Sequence, residues 1–192
     1  MTSINKIVCL GDGHGFETLG KRTPRLPDGT IMKENEFNSI VVHKLAVRLL
    51  HKGFTVFYAA PTVSDIPLSE RVATANAKKA DIYVSVHANA SGSGEFNSGQ
   101  GVETFCYKFG GNAEKLARAV HAQLIKGTKQ KDRGVKEGNF QVLRQTKMPA
   151  ILVEAAFMTN LEEAKLLASD KFREEVAEEI YKGICAYYGL QS

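Results

Sequence analysis

Seven residues, Ile151-Leu152-Val153-Glu154-Ala155-Ala156-Phe157, constrain this chain more than any other stretch. A largely apolar run of this length, bounded by Pro149 and Asn160, predicts a buried strand. A carboxylate sits in its middle. An ionised Glu taken out of water without a partner costs on the order of several kcal/mol. Glu154 must therefore meet a positive group, or lie where the strand opens into a cleft. The ordinary account of a buried acid is a structural ion pair, and only other residues at the same place can argue for chemistry.

Those residues emerge when the chain is followed from its start. Residues 4–10 predict a first strand, closed by Gly11-Asp12-Gly13-His14-Gly15, whose glycines turn the backbone and expose His14 at the strand's end. This is not a dinucleotide fingerprint, because Phe16 stands where GxGxxG needs glycine, and no GxxxxGK[ST] occurs. A long polar loop over 16–33, with Pro24, Pro27 and Gly29, leads to apolar residues at 37, 40, 41, 45, 46, 49 and 50. That spacing predicts a helix over 34–52 stopped by Gly53, with Glu34 in its first turn, where the helix dipole favours a carboxylate. Then follow a strand over 54–60, a helix over 68–80 capped by Ser69 or Asp65, and a strand over 82–86 that delivers His87.

Beyond a Gly/Ser-rich loop (91–101), residues 102–107 predict a strand and 113–125 a helix. The basic, glycine-punctuated stretch 126–140 is expected to be a loop, 141–144 a short edge strand and 150–155 the central strand. Acid-rich helices over 161–168 and 171–187 close the chain. Strands alternating with helices predict an α/β fold: a single-domain three-layer sandwich, with a largely parallel twisted sheet of about six strands and right-handed crossovers. In such sheets the site lies outside the carboxyl ends of the strands, which is where His14, His87 and Glu154 fall.

Two imidazoles and a carboxylate form a common catalytic zinc set that leaves one position for water or substrate. A second Glu within reach would take the water proton and return it to the leaving group. His14, His87, Glu34 and Glu154 are the candidates, with one Glu as ligand and the other as base. His43, His51 and His121 fall within helices, away from the strand ends, and read as structural or surface residues.

Composition narrows the class. With 192 residues and 43% apolar content the chain can bury one substantial core, and no run approaches the roughly 20 apolar residues of a membrane span. Cys9, Cys106 and Cys185 form no CxxC pair and are expected as reduced core thiols, two in strands and one in a helix. Residues 107–149 hold ten Lys/Arg against three Asp/Glu. This excess would suit an anionic polymer, although a solvated face is the simpler account.

Taken together, the motifs resemble the type 3 class of zinc-dependent N-acetylmuramoyl-L-alanine amidases of bacterial autolysins and phage endolysins. Gly13-His14-Gly15, Lys33-Glu34 with the helix after it, Ser85-Val86-His87-Ala88-Asn89-Ala90 and Pro149-Ala150-Ile151-Leu152-Val153-Glu154 carry the likeness, which spans essentially the whole chain. It implies that His14, Glu34 and His87 hold Zn2+ and that Glu154 is the catalytic acid/base. The register of the following helix favours Glu34 over Glu36 as the ligand. The implied reaction is hydrolysis of the amide between the lactyl group of N-acetylmuramic acid and the L-alanine of the stem peptide.

The chain departs from the family pattern at two places. Gly11-Asp12 stands where the family usually has Asp-Pro, and Ala155-Ala156 replaces the commoner Val-Gly. The alternatives are another zinc hydrolase of peptidase type, against which the lack of an HxxE pair speaks, and a wall-binding module without catalysis, which would have lost one of the four site residues. The expected partner is peptidoglycan, with an anionic wall polymer at 107–149, and neither nucleic acid nor membrane insertion. Residues 1–192 are expected to be one catalytic domain without wall-binding repeats. The opening Met-Thr-Ser-Ile-Asn-Lys lacks the apolar core of a secretory signal. That leads to the expectation of a wall-acting enzyme made in the cytoplasm and released by a holin or by lysis, or excised from a longer secreted protein.

Overall fold

The computed structural model describes residues 4–192. Six strands form one sheet: β1 (Ile7–Asp12), β2 (Thr55–Tyr58), β3 (Ile82–Asn89), β4 (Val102–Cys106), β5 (Asp132–Glu137) and β6 (Ala150–Phe157). Their spatial order is β2-β1-β3-β6-β4-β5. Four of the five pairings are parallel, and β4 runs antiparallel to β6. The strand around Glu154 is therefore interior, between β3 and β4.

Alternation along each strand sorts side chains onto two faces. Val8, Leu10, Val84, Val86, Ile151 and Val153 point into the larger core. That core is completed by α1 (Glu34–Lys52), α3 (Asn112–Thr128), α5 (Leu161–Ala168) and α6 (Asp170–Tyr187). Cys9, Tyr83, Ala150 and Leu152 point the other way, into a smaller core with α2 (Leu68–Ala77) and the one-turn helix α4 (Gln141–Arg144). Period two places His87 and Glu154 on this second face, next in line after Ser85 and Leu152. The helical cover there is short, so the sheet opens into a cleft.

Several sequence expectations are corrected. Residues 126–140 are not all loop: 132–137 form the edge strand β5, paired with β4. Val135 is its only apolar side chain and none of its residues is fully buried, so the apolar signal of a strand is missing. Conversely, 141–144 are a helical turn rather than an edge strand, with Val142 and Leu143 packed into the smaller core. Strand β3 runs on to Asn89, so His87 lies inside it rather than beyond its end. Helix α2 has Pro67 at its N-cap and no side-chain cap from Ser69 or Asp65; Asp65 instead accepts the Thr18 hydroxyl at 2.6 Å. Helix α1 begins and ends as expected, with Gly53 at φ 105° accepting the left-handed turn that terminates it. The three cysteines are free and buried, in β1, β4 and α6.

Candidate active site

From β1 the chain passes through α1 to β2 on one side, then through α2 to β3 on the other. The topological switch therefore lies between β1 and β3, where open α/β sheets leave a crevice at the strands' carboxyl ends. His14 follows β1 directly and His87 rides on β3. Glu34 opens α1 and reaches between them. Its Oε1 lies 3.1 Å from His87 Nδ1 and its Oε2 lies 3.4 Å from His14 Nε2. The two imidazoles stand edge to face with centroids 5.2 Å apart, and one donor atom from each of the three residues lies within 4.8 Å of the others.

The backbone is shaped to permit this. His14 itself takes φ 63°, a left-handed conformation that costs a non-glycine residue energy unless its surroundings hold it there. Three buried side chains hold it. Asn35 Nδ2 donates to the carbonyls of Gly13 (3.2 Å) and His14 (3.0 Å), and Asn38 Nδ2 donates to Gly13 O at 3.0 Å. Arg71, 3% exposed, donates to the carbonyls of Asp12, His14 (3.0 Å) and Ile66 (2.9 Å). Gly13 has to lack a side chain, because a Cβ there would run into the His87 ring.

The altered turn is accommodated as well. A Cβ at Gly11 would sit 2.5 Å from the Tyr83 hydroxyl, so a larger residue would need that tyrosine to move. Asp12 points into the protein instead, accepting Asn35 Nδ2 at 3.4 Å with Arg71 3.8 Å away. Ser85 Oγ, 3.1 Å from His87 Nε2, holds the far side of that ring. The other departure, Ala155-Ala156, falls where the β3–β6 register slips between the His87–Glu154 and Asn89–Phe157 pairs.

Glu154 is paired in register with His87 on the neighbouring strand. Its Oε2 is buried and has no hydrogen-bond partner among the described residues. Burial pushes its pKa up to about 8, with the charges of Glu34 and Glu103 adding to the rise and His87 opposing it. Glu34 goes the other way. Burial would raise its pKa, but the hydrogen bond from His87 and the positive fields of His87, His14 and Lys21 hold it below the usual carboxylate range. Burial lowers His14 to about 4, which favours the neutral imidazole. For His87 burial also favours the neutral form, but the Glu34 bond and the Glu154 and Glu34 charges bring the pKa above its ordinary value.

His14, His87 and Glu154 line one cleft of about 600 Å³, walled by Tyr83, Leu152, Leu68 and Phe140 and flanked by Lys21, while Glu34 is buried against the two imidazoles. The long loop over 16–33 supplies that lysine, whose Nζ is 3.9 Å from Glu34 Oε2, and the loop is closed by the Arg22–Lys33 bridge. Glu36 is turned away into a 2.8 Å pair with Arg173. His43 and His51 lie on α1 outside the cluster, and His121 is held between Thr104 (3.0 Å) and Asp132 (2.8 Å). Sequence reasoning missed Asn35, Asn38 and Arg71. The signal was there: Asn38 and Arg71 occupy inward positions of amphipathic helices, where a polar residue requires an explanation.

The chain is similar to known proteins over most of its length. The family model described as N-acetylmuramoyl-L-alanine amidase (Amidase_3) matches residues 8–186. An endolysin of Bacillus phage SPP1 is 35% identical over 98% of this chain and 68% of its own length. The amidase LytC of Bacillus subtilis (strain 168) is 29% identical over 96% of this chain, which spans only 36% of LytC. The solved structure of N-acetylmuramoyl-L-alanine amidase from Clostridium difficile 630 superposes with a TM-score of 0.86 at 31% identity, covering 97% of this chain and 98% of that one. The chain belongs to the N-acetylmuramoyl-L-alanine amidase family, Amidase_3.

Proposed function

We propose that this chain hydrolyses the amide between the lactyl group of N-acetylmuramic acid and the L-alanine of the stem peptide in the bacterial cell wall, with His14, Glu34 and His87 holding zinc and Glu154 as acid/base. One observation carries the reading. A three-donor cluster and a buried, unpartnered carboxyl lie side by side, with His87 and Glu154 in register on adjacent strands and both lining one cleft.

The donor set suits zinc. Two imidazoles and one carboxylate are ligands that zinc takes with a position left open, and Glu34, 2% exposed, brings a negative charge to a place where only a cation would compensate it fully. When bound, the metal would polarise the lactyl carbonyl and acidify water. The protein's own residues do the rest. Ser85 fixes the His87 ring, while Asn35, Asn38 and Arg71 fix the loop that carries His14, so the donors are held in place beforehand. Glu154, on the opposite side of the cleft floor, accepts the proton of the attacking water and passes it to the departing alanine nitrogen. A carboxyl raised towards neutral pH suits both transfers.

In this reading residues 107–149 also contact an anionic wall polymer. Lys126, Lys129 and Lys131 are exposed and make no ion pair among the described residues, whereas Arg118, Arg133 and Lys136 are engaged with Glu114 and Glu103. No helix among the described residues is long and apolar enough to cross a membrane.

Digestion of purified peptidoglycan by the wild type and by Glu154→Ala, each with and without a chelator, tests the reading by mass spectrometry. Stem peptides with a free L-alanine amino terminus are expected from the untreated wild type alone. Cleavage within the peptide would replace the amidase reading with a peptidase one.

A further inference from the structure

The row of charged residues on the cleft face does not stop at Glu154. Its antiparallel partner on β4 is Glu103, and directly opposed residues on such strands share a face with Cβ atoms roughly 5 Å apart. One strand further, Lys136 is the register neighbour of Phe105, the next residue along β4 on that face. Glu103 is buried and accepts from three groups: Asn89 Nδ2 at 2.5 Å, Arg133 Nε at 2.9 Å, and Lys136 Nζ. One cation would neutralise it. Two leave a net positive charge one strand away from the acid/base, and both cationic side chains stay open to solvent, at 32% and 40% exposure.

Arg133 is set in place rather than loosely solvated. Its guanidinium lies 4.8 Å from the Phe157 ring centroid, and Gly101, at φ 109°, makes room for its stem, since a Cβ there would lie 3.0 Å from Arg133 Cγ. Its Nε serves Glu103 and its Nη1 makes a long bond to Gln100 O at 3.4 Å. Among the described residues Nη2 donates to nothing, and Lys136 Nζ has only Glu103. These are spare donors in the fork geometry that carboxylates take.

We propose that Arg133 and Lys136, gathered by Glu103, form a subsite for the carboxylate borne by the stem-peptide residue next to L-alanine, so that stem peptides ionised there are preferred over amidated ones. The inference rests on the amidase reading and specifies its substrate. The spacing fits. An extended peptide advances about 3.5 Å per residue, so a carboxylate on the second residue lies roughly 7 Å from the scissile nitrogen. Glu103, on which the two cations converge, is one strand spacing of about 4.8 Å from Glu154.

Two synthetic muramyl peptides that differ only in a carboxylate or a carboxamide on the second residue provide the test, with zinc-loaded wild type, Arg133→Gln and Lys136→Gln. The wild type should show a kcat/KM ratio of about ten or more in favour of the carboxylate, the discrimination expected of a charge-assisted hydrogen bond. Each variant should bring that ratio close to one. Equal rates for the two substrates with the wild type would overturn the subsite and leave the amidase reading standing. So would variants that slow both reactions alike and keep the ratio, since that is what a purely structural role would do. Cleavage of neither substrate by folded wild type would overturn the amidase reading and the subsite together. The wild-type ratio decides the matter even where a variant fails to fold.

Discussion

Glu34 and Glu154 both lie beside His87, one reaching in from the start of α1 and the other lying one strand over on β6, and their surroundings differ sharply. Glu34 is enclosed by two imidazoles with Lys21 nearby, and its pKa is drawn down. Glu154 has an oxygen buried with no donor in reach, and its pKa is driven up to about 8. In the proposed mechanism these two carboxyl groups, whose environments separate their proton affinities, divide the labour: Glu34 stays charged to hold a cation and Glu154 trades a proton. The difference comes from topology, because α1 delivers its first residue into the switch point while β6 carries its acid through the sheet interior.

The largest effect should come from breaking the Glu154 side. Glu154→Gln is expected to lower kcat by about 10²- to 10⁴-fold, the usual worth of a positioned acid/base, while the protein still binds zinc. Kinetics on a muramyl peptide, together with elemental analysis, checks both halves of that statement.

On the Glu34 side, Arg71→Ala removes the donors that fix the His14 loop. Zinc affinity should fall by about 10- to 100-fold, as for other groups that orient ligands from behind. Arg71→Lys should recover only part of it, since one ammonium cannot reach three carbonyls in fork geometry. Competition with a chromophoric chelator reads the loss directly.

The pH response of the metal-free protein sharpens the contrast. Between an ordinary value of 4.5 and the folded value of about 8, folded Glu154 keeps a proton that the unfolded chain has released. Its contribution to stability is therefore complete below about pH 4.5 and is lost as pH rises through about 8. Glu154→Gln should flatten the decline in melting temperature over that window. Parallel curves for variant and wild type would contradict the raised pKa.

The smallest effect belongs to the acid that lies outside the comparison. Glu36→Gln removes the charge of a 40%-exposed carboxylate opposite the buried Arg173 but leaves an amide oxygen that can still accept, and should cost about 1 kcal/mol in a denaturant titration, without affecting zinc binding.

The parts of this site that could be read from the sequence are those where chemistry and periodicity coincide. Glu154 interrupts an apolar run, His14 ends a glycine-bracketed turn, and the period of α1 put Glu34 on its inner face. The six-strand, largely parallel sheet followed from the alternation of elements. The features that escaped are held by tertiary contacts. Strand β5 carries Asp, Arg, Gly and Lys because it lies at an edge, where pairing with β4 alone suffices to order it. The turn at 141–144 is helical because Val142 and Leu143 fill the smaller core, a preference four residues cannot announce. Strand β4 runs antiparallel to β6 because residues 90–101 carry the chain from β3 past β6 without a crossover helix, and no local residue pattern encodes it. Arg71 went unread although it is a charge on an inward helix position, and its role became visible only when the fold placed it under the His14 loop.

The most direct test of the division between the two carboxyl groups is to measure zinc dissociation constants for wild type, Glu34→Gln and Glu154→Gln side by side, by chelator competition at neutral pH. The expected result is that Glu154→Gln binds zinc within a few-fold of wild type while Glu34→Gln is weakened by about two orders of magnitude or more. Loss of zinc in Glu154→Gln, or wild-type affinity in Glu34→Gln, would contradict the assignment of ligand and acid/base.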